Sequence, residues 1–332
     1  MTTELNPLDF IDRKAEQELF GTLVAFESSA RMLTVCDGGG RGKSSLLRRL
    51  QYNCQHEIKP AIPACRIELD RLSDPSPFVL VSRLTSQESG FKLRGEDVSK
   101  RFAKFNQLDE ARTAKDFTPF DDGSASRSWD PRVVASASAS AVHEGGINAG
   151  IYAEQAQFLP RQFEEFTDEQ EQRARQRCVE AFFDDLRTIC AMQPMALVFD
   201  GWEGCNLSLR EWIRDEMLGN HVLHPDPNLR PERLAVVIAG RPHQPPDTSH
   251  GLRADEFRAL FDSEEEHSAT VLSIKSLSDW ESEHVSEFMV LNGCPQPTEA
   301  QVNLIQEQLR KGVSLEKILS LIDEHLRPTA GL

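Results

Sequence analysis

The sequence predicts an α/β protein in which helices cover both faces of a parallel β-sheet. Three short runs are almost continuously apolar, which is typical of strands buried on both faces: Met32–Cys36, Met195–Asp200 and Leu234–Gly240. Between them lie longer stretches with apolar residues at helical spacing. Because strands alternate with helices along the chain, we expect parallel strands. The 332 residues suffice for one large domain or two ordinary ones.

The N-terminal elements follow from the same patterning. A first helix is predicted over residues 12–26, ahead of the first strand, and a second helix from Lys43 to about Cys54. A second strand is predicted over residues 64–69, because its apolar run ends in an aspartate and a Ser-Asp-Pro turn. Residues 77–86 then predict the start of another helix.

Residues 87–165 differ in composition and predict an insertion in the core. They contain a Ser-Ala repeat at 135–141 and a glycine-rich segment at 144–150. A β-hairpin of small residues and a flexible linker are both compatible with this segment. An insertion this long is usually functional or disordered. We expect four phenylalanines to be buried beneath the insertion, because most large apolar side chains are buried. An exposed docking patch is the alternative for these residues, which are Phe102, Phe105, Phe117 and Phe120.

The second half of the chain begins with a long helix after Thr167. Thr167 and Gln170 have the spacing of a capping box, and the apolar residues of 178–190 recur at helical spacing. A helix from about Ser208 separates the strands Met195–Asp200 and Leu234–Gly240.

A last strand is predicted over residues 269–274, and a second capping box, Ser278 with Glu281, predicts the next helix start. Three short helices are then expected. The predicted division is a core at 1–277, which contains the 87–165 insertion, and a helical lid at 278–332.

Composition and charge exclude several classes of protein. No apolar run of about 18 residues is present, so we expect no membrane span. Residues 1–7 have neither the basic start nor the apolar core of a secretory signal. The net charge of −16 disfavours nucleic acid as a partner and favours protein partners. The seven cysteines form no C-x-x-C pair, so we interpret them as buried thiols in a reducing cytoplasm.

The most specific motif lies between the first strand and the second helix. A glycine cluster precedes Gly42, Lys43 and Ser44, which is the strand, loop and helix context of a phosphate-binding P-loop. Lys43 is expected to contact the β- and γ-phosphates, and the Ser44 hydroxyl is expected to bind Mg²⁺. Asp37 stands where the pattern G-x-x-x-x-G-K-[ST] has its first glycine, and its carboxylate repels a phosphate unless it faces away.

Two later strands end in residues that suit the other half of a nucleotide site. Met195–Asp200 is an apolar strand ending in an aspartate, and such a strand is expected beside the P-loop strand with Asp200 holding Mg²⁺. Glu203 lies near the place of a water-activating carboxylate. Arg241 follows the strand Leu234–Gly240, where a guanidinium can sense the γ-phosphate. The alternative for Asp200 and Arg241 is a solvent-facing side chain at a strand end, whereas Glu203 can point in several directions after Gly201 and Trp202.

Together these motifs resemble the STAND class of P-loop NTPases, the NACHT-like branch of the AAA+ group. The chain opens with F-x-x-R-x-x-E at residues 10–16, and residues 40–47 are similar to the family's G-x-G-K-[ST]-[ST]-L-L. Residues 197–203 resemble its Walker B strand, although Trp202 and Glu203 replace the expected acidic pair. Residues 239–242 are similar to the sensor motif T-x-R-P, with Gly240 in place of a polar residue.

The resemblance implies an ATP- or ADP-binding, Mg²⁺-dependent switch in signal transduction, for example in bacterial antiviral defence. It implies slow hydrolysis, a separate effector or sensor subunit, and homo-oligomerisation on ATP binding. Ile11 and Arg13 are expected near the adenine. The expected phosphate-binding residues are Gly39, Gly40, Arg41, Gly42, Lys43, Ser44 and Ser45. A scaffold that holds nucleotide without hydrolysing it is the alternative, whereas a GTPase lacks support because no [NT]-K-x-D motif occurs.

Overall fold

The computed structural model describes most of the chain outside the predicted insertion. The described residues are 13–25, 31–38, 42–115 without 73 and 95, 167–242 without 225 and 227, 251–253, 256–257, 271–275, 277, 280–311, 313 and 315–323. The Ser-Ala repeat, the glycine-rich segment, Phe117 and Phe120 therefore lie outside the described residues.

The described strands are β1 Met32–Cys36, β2 Ala64–Glu68, β3 Lys92–Leu93, β4 Glu96–Asp97, β5 Met195–Asp200, β6 Leu234–Gly240 and β7 Val271–Ile274. They form one sheet in the order β4-β3-β2-β5-β6-β1-β7. Neighbours among the five strands from β2 to β7 in this order pair in parallel, as the sequence predicted. The short strands β3 and β4 add an antiparallel edge that the sequence did not predict.

The expectation that the aspartate-ending strand lies directly beside the P-loop strand was wrong. Strand β6 lies between β1 and β5, with Cys36 opposite Gly240 and Phe199 opposite Ile238. Parallel strands are joined by crossovers, so neighbours in the sequence need not be neighbours in the sheet. Because all three strands are parallel, Cys36, Asp200 and Gly240 still end at the same edge of the sheet.

The described α-helices are α1 Lys14–Val24, α2 Lys43–Tyr52, α3 Pro77–Thr85, α4 Ala103–Thr113, α5 Asp168–Met192, α6 Leu207–Glu211, α7 Ser282–Leu291, α8 Glu299–Arg310 and α9 Leu315–Leu321. They agree with most of the predicted ones. A π-helical segment, Asn53–Glu57, follows α2, and another, Trp212–Val222, follows α6. Ser278 itself lies outside the described residues, but α7 begins only at Ser282, with Glu281 as its N-cap, so the predicted helix start was wrong.

One hydrophobic cluster joins the first two helices to one face of the sheet. Phe20 and Leu23 of α1 and Leu47 of α2 pack in the same cluster as Val35 of β1 and Val237 of β6. Every residue of β5 and β6 is buried. Burial of apolar surface contributes about 25 cal/mol per Å², so this contact is a principal source of stability.

The C-terminal helices share a second cluster, which includes Val285, Phe288, Val302, Ile305 and Ile318. The predicted division into core and lid remains a prediction.

The described cysteines are all free thiols, and six of them are buried. Cys36 is only half-buried, so the prediction of seven buried thiols was wrong at that position. Phe102 and Phe105 are buried, which confirms packing for these two residues and removes them from any docking patch.

Contacts between Cα atoms divide the chain into two compact units. The first contains Met1–Ala103 and Phe182–Leu332, and the second contains Lys104–Ala181. Within the second unit, the guanidinium of Arg112 contacts the carboxylates of Asp109 and Glu171. In the part of the chain that the structure describes, no helix combines the length and the apolarity needed to cross a membrane.

Candidate nucleotide site

The candidate site begins where β1 leads into α2. Gly42 is the N-cap of α2 and has a φ of 89°, a left-handed conformation that glycine adopts without steric cost. The first N–H groups of α2 lack partners within the helix, so they can bind an anion. Ser45 lies in this first turn. Gly39, Gly40 and Arg41 lie outside the described residues.

Lys43 holds the preceding loop through its own ammonium group. Its Nζ donates to the carbonyl oxygens of Asp37 and Gly38, each at 2.7 Å. These bonds use two of the three N–H groups of an ammonium ion, so among the described residues one N–H remains for an anionic ligand. Burial lowers the pKa of Lys43, and the nearby carboxylate of Glu203 opposes this shift.

Ser44 and Asp200 lie near each other at the sheet edge, as expected from their motifs. Asp200 is buried, and burial raises its pKa, whereas the nearby Ser44 hydroxyl and the charge of Arg66 lower it. The hydroxyl at the start of α2 and the carboxylate at the end of β5 are therefore close enough to influence each other.

Two residues of β2 belong to the same cluster, although the sequence analysis missed them. The guanidinium of Arg66 contacts Asp200 at 3.0 Å and Glu68 at 2.6 Å. Glu68 lies opposite Asp200 in the register of β2 and β5. Alternate residues of a strand share a face, so the R-x-E spacing at the strand end was the available signal. Its partner strand was not evident from the sequence.

Glu203 and Arg241 form a two-point contact. Nε of Arg241 lies 3.0 Å from Oε1 of Glu203, and the backbone N–H of Arg241 donates to Oε2 of Glu203 at 3.0 Å. Both carboxylate oxygens are thus engaged by one residue. The charges of Glu203, Asp200 and Arg241 all act on Lys43, so the structure brings these predicted residues together.

Gly240 is closely packed against the side chains that follow β5. A Cβ atom at Gly240 would lie 2.9 Å from Cβ of Trp202 and 3.3 Å from Oε2 of Glu203. Trp202 itself is fully buried and packs edge-on against Phe257 at 5.5 Å between ring centroids. Trp202 is therefore a core residue, which explains the large apolar side chain at this position.

Arg13 is buried at the start of α1, and its expected proximity to adenine remains a prediction. Its backbone φ is 76°, and its guanidinium lies 3.9 Å from the carboxylate of Glu16. Ile11 lies outside the described residues.

The polar groups at this edge fit a magnesium ion that is held mainly by phosphate oxygens. Within the described ranges, no group of three or more His, Cys, Asp or Glu side chains is arranged to bind a metal. Magnesium in nucleotide sites uses few protein ligands together with phosphate oxygens and water. The Ser44 hydroxyl and the Asp200 carboxylate, which lie near each other, are such a donor set.

A scan of the chain against protein-family models gives no match. A search among curated proteins finds no significant match either.

Proposed function

We propose that this chain is an ATP-binding switch of the STAND type that hydrolyses ATP slowly. The observation that carries the proposal is the meeting of Asp200 and the Glu203–Arg241 pair beside the buried ammonium of Lys43 at the start of α2. Three separate segments, the P-loop and the ends of β5 and β6, supply their polar residues to one edge of the sheet. Ligands of α/β proteins bind at the carboxyl ends of the strands.

Each residue has a role that follows from its chemistry. The amides of the loop and the ammonium of Lys43 bind the phosphates of ATP or ADP. Ser44 and Asp200 hold Mg²⁺, which supplies neutralisation of the phosphate charge when it is bound. Arg241 contacts the γ-phosphate, and Glu203 orients the attacking water.

The contact between Glu203 and Arg241 supports slow turnover. While Arg241 occupies both oxygens of Glu203, the carboxylate is a poor acceptor for a proton from water. A γ-phosphate competes with Glu203 for the guanidinium, because both are anions that arginine binds strongly. Hydrolysis then requires this contact to open.

The biological setting of the proposal follows from the resemblance. We place the protein in the cytoplasm, where it controls a separate effector and assembles into a homo-oligomer on ATP binding. Bacterial antiviral defence is one such signalling context. The net charge of −16 favours protein partners over nucleic acid.

Calorimetry and a turnover assay with Lys43→Ala test the proposal. Loss of a charged hydrogen-bond donor costs about 1.5–3 kcal/mol, so Lys43→Ala should weaken binding of Mg²⁺·ATP roughly 10- to 150-fold. Lys100→Ala, which removes an exposed lysine elsewhere, should bind like the wild type. The proposal fails if the folded wild-type protein binds neither ATP nor ADP.

A nucleotide-holding scaffold without hydrolysis is the second candidate, favoured by the engagement of both Glu203 oxygens. It predicts tight ATP binding with equally low turnover in the wild type and in Glu203→Gln. A wild type that turns over ATP at least about tenfold faster than Glu203→Gln, a loss typical of a general base, would reject the scaffold.

A further inference from the structure

Asp37 is the residue that departs most clearly from the P-loop pattern, and both its backbone and its side chain bond to residues that the structure describes. Its backbone N–H donates to the carbonyl of Gly240 at 3.2 Å, and its carbonyl accepts from Lys43. Its Oδ1 accepts from the N–H of Gly38 at 2.6 Å, and its Oδ2 accepts from the N–H of Leu277 at 2.9 Å.

The carboxylate is buried, and each of its oxygens binds a main-chain donor. A buried carboxylate is costly unless such bonds compensate it, so this residue is held in place by its surroundings. The side chain is turned to the backbone of Gly38 and Leu277, which meets the condition under which an aspartate is tolerated in this loop. A glycine would provide loop flexibility but no side-chain link.

Leu277, which donates its N–H to Asp37, lies between the sheet and the C-terminal helices in the sequence. It follows β7, packs in the cluster shared by α1, α2 and the sheet, and precedes the C-terminal helices. The two oxygens of one carboxylate thus connect the phosphate loop to the segment that leads into α7. Through its backbone, the same residue is bonded to the end of β6, next to Arg241.

We propose that Asp37 is a positioning residue that couples occupancy of the phosphate loop to the segment leading into the C-terminal helices. This inference depends on the proposed function, because it requires that a nucleotide binds the loop. Phosphate competes for the Gly38 N–H and for the Lys43 ammonium, which are both bonded to Asp37. A shift of Asp37 changes the bond to Leu277, and the C-terminal helices then respond to the ligand.

Amide hydrogen exchange, measured alongside calorimetry, tests the coupling. In the wild type, Mg²⁺·ATP should change exchange of the peptides that cover residues 277–291. Asp37→Gly, which restores the motif residue, should retain ATP binding but lose this ATP-dependent change. Without nucleotide, the amide of Leu277 should exchange at least about tenfold faster in Asp37→Gly, the factor expected for one lost hydrogen bond to a charged group.

Two further variants make the outcomes decisive. Asp37→Asn retains one acceptor oxygen and should show an intermediate effect, and it replaces Asp37→Gly if that variant does not fold. Asp97→Asn alters a different aspartate that also accepts from a backbone N–H, and it should behave like the wild type.

The coupling is refuted if a folded Asp37 variant retains the full ATP-dependent change at 277–291. It is also refuted if Asp37→Gly folds but loses ATP binding, because Asp37 would then act in binding itself. A wild type that binds no nucleotide defeats the proposed function, which is a separate outcome.

Discussion

At the end of β6, Gly240 occupies a position with no space for a side chain. Its neighbours are Trp202, Glu203 and Leu252, and a Cβ atom would lie 3.1 Å from Cβ of Leu252. The sequence identified this position only as a departure from the sensor motif. The packing of Trp202 against the strand end provides the physical reason for the glycine.

We predict that Gly240→Ala destabilises the protein by about 1–3 kcal/mol, the usual cost of overpacking a core. The added methyl group would displace Trp202 or Glu203 and thereby disturb the contact with Arg241. Urea unfolding measures the change in the free energy of unfolding.

The matched control is Gly21→Ala in α1. Beyond its chain neighbours and the helix backbone, no atom of the described residues would lie within 4 Å of a Cβ atom there, so this substitution should stabilise the helix by up to about 1 kcal/mol. Equal effects of the two substitutions would contradict the steric explanation.

At the scale of elements, helix ends depend on short local signals. The predicted capping box of Thr167 and Gln170 is present at the start of α5. Thr298 and Gln301 form another at the start of α8, which the sequence analysis did not identify. The pattern of Ser278 and Glu281 had the same spacing, yet Glu281 became the N-cap residue itself.

We predict that Thr298→Ala destabilises the C-terminal helices by about 1 kcal/mol, because the N-cap hydroxyl satisfies an N–H group of the first turn. Amide exchange in α8 measures the loss. Thr22→Ala is the control, since Thr22 lies inside α1 and its hydroxyl bonds back to the carbonyl of Glu18. If both variants exchange like the wild type, the cap contributes no stability.

The strands β5 and β6 were predictable residue by residue, because burial on both faces leaves an uninterrupted apolar run. Their neighbours were not predictable, since pairing in a parallel sheet depends on crossovers and not on local sequence. The two-residue strands β3 and β4 are too short to leave a pattern.

The same distinction holds for the site. Lys43, Ser44, Asp200 and Glu203 were identified from motifs that lie within single segments. Arg66 donates a hydrogen bond to Asp200, and the N–H of Leu277 donates one to Asp37. Each bond joins two segments that are distant in sequence, so only the fold brings the two partners together.

At the scale of the whole molecule, a net charge of −16 makes stability depend on pH. Acidification reduces the net negative charge, and the weaker repulsion among like charges favours the folded state.

His221 has the opposite effect on stability, because its protonation disfavours the folded state. Its ring stacks on Phe183 with 3.7 Å between centroids, and burial lowers its pKa although the carboxylate of Glu216 opposes the shift.

We predict that protonation of His221 reduces the free energy of unfolding as the pH falls below the ordinary histidine pKa of about 6.5. The pKa of His221 is lower in the folded protein than in the unfolded chain, so on acidification the unfolded chain binds the proton at a higher pH. The stability that is present above about pH 6.5 is therefore lost as the pH falls. Urea unfolding between about pH 5 and 8 should therefore show a smaller acid loss in His221→Phe. Parallel pH profiles of the two proteins would contradict this.

The antiparallel edge of the sheet has a consequence for self-association. Strands β3 and β4 are only two residues long, and they carry Lys92, Glu96 and Asp97. Short, charged outer strands discourage intermolecular β-augmentation and aggregation. Any ATP-driven assembly should consequently proceed without extending the sheet at this end.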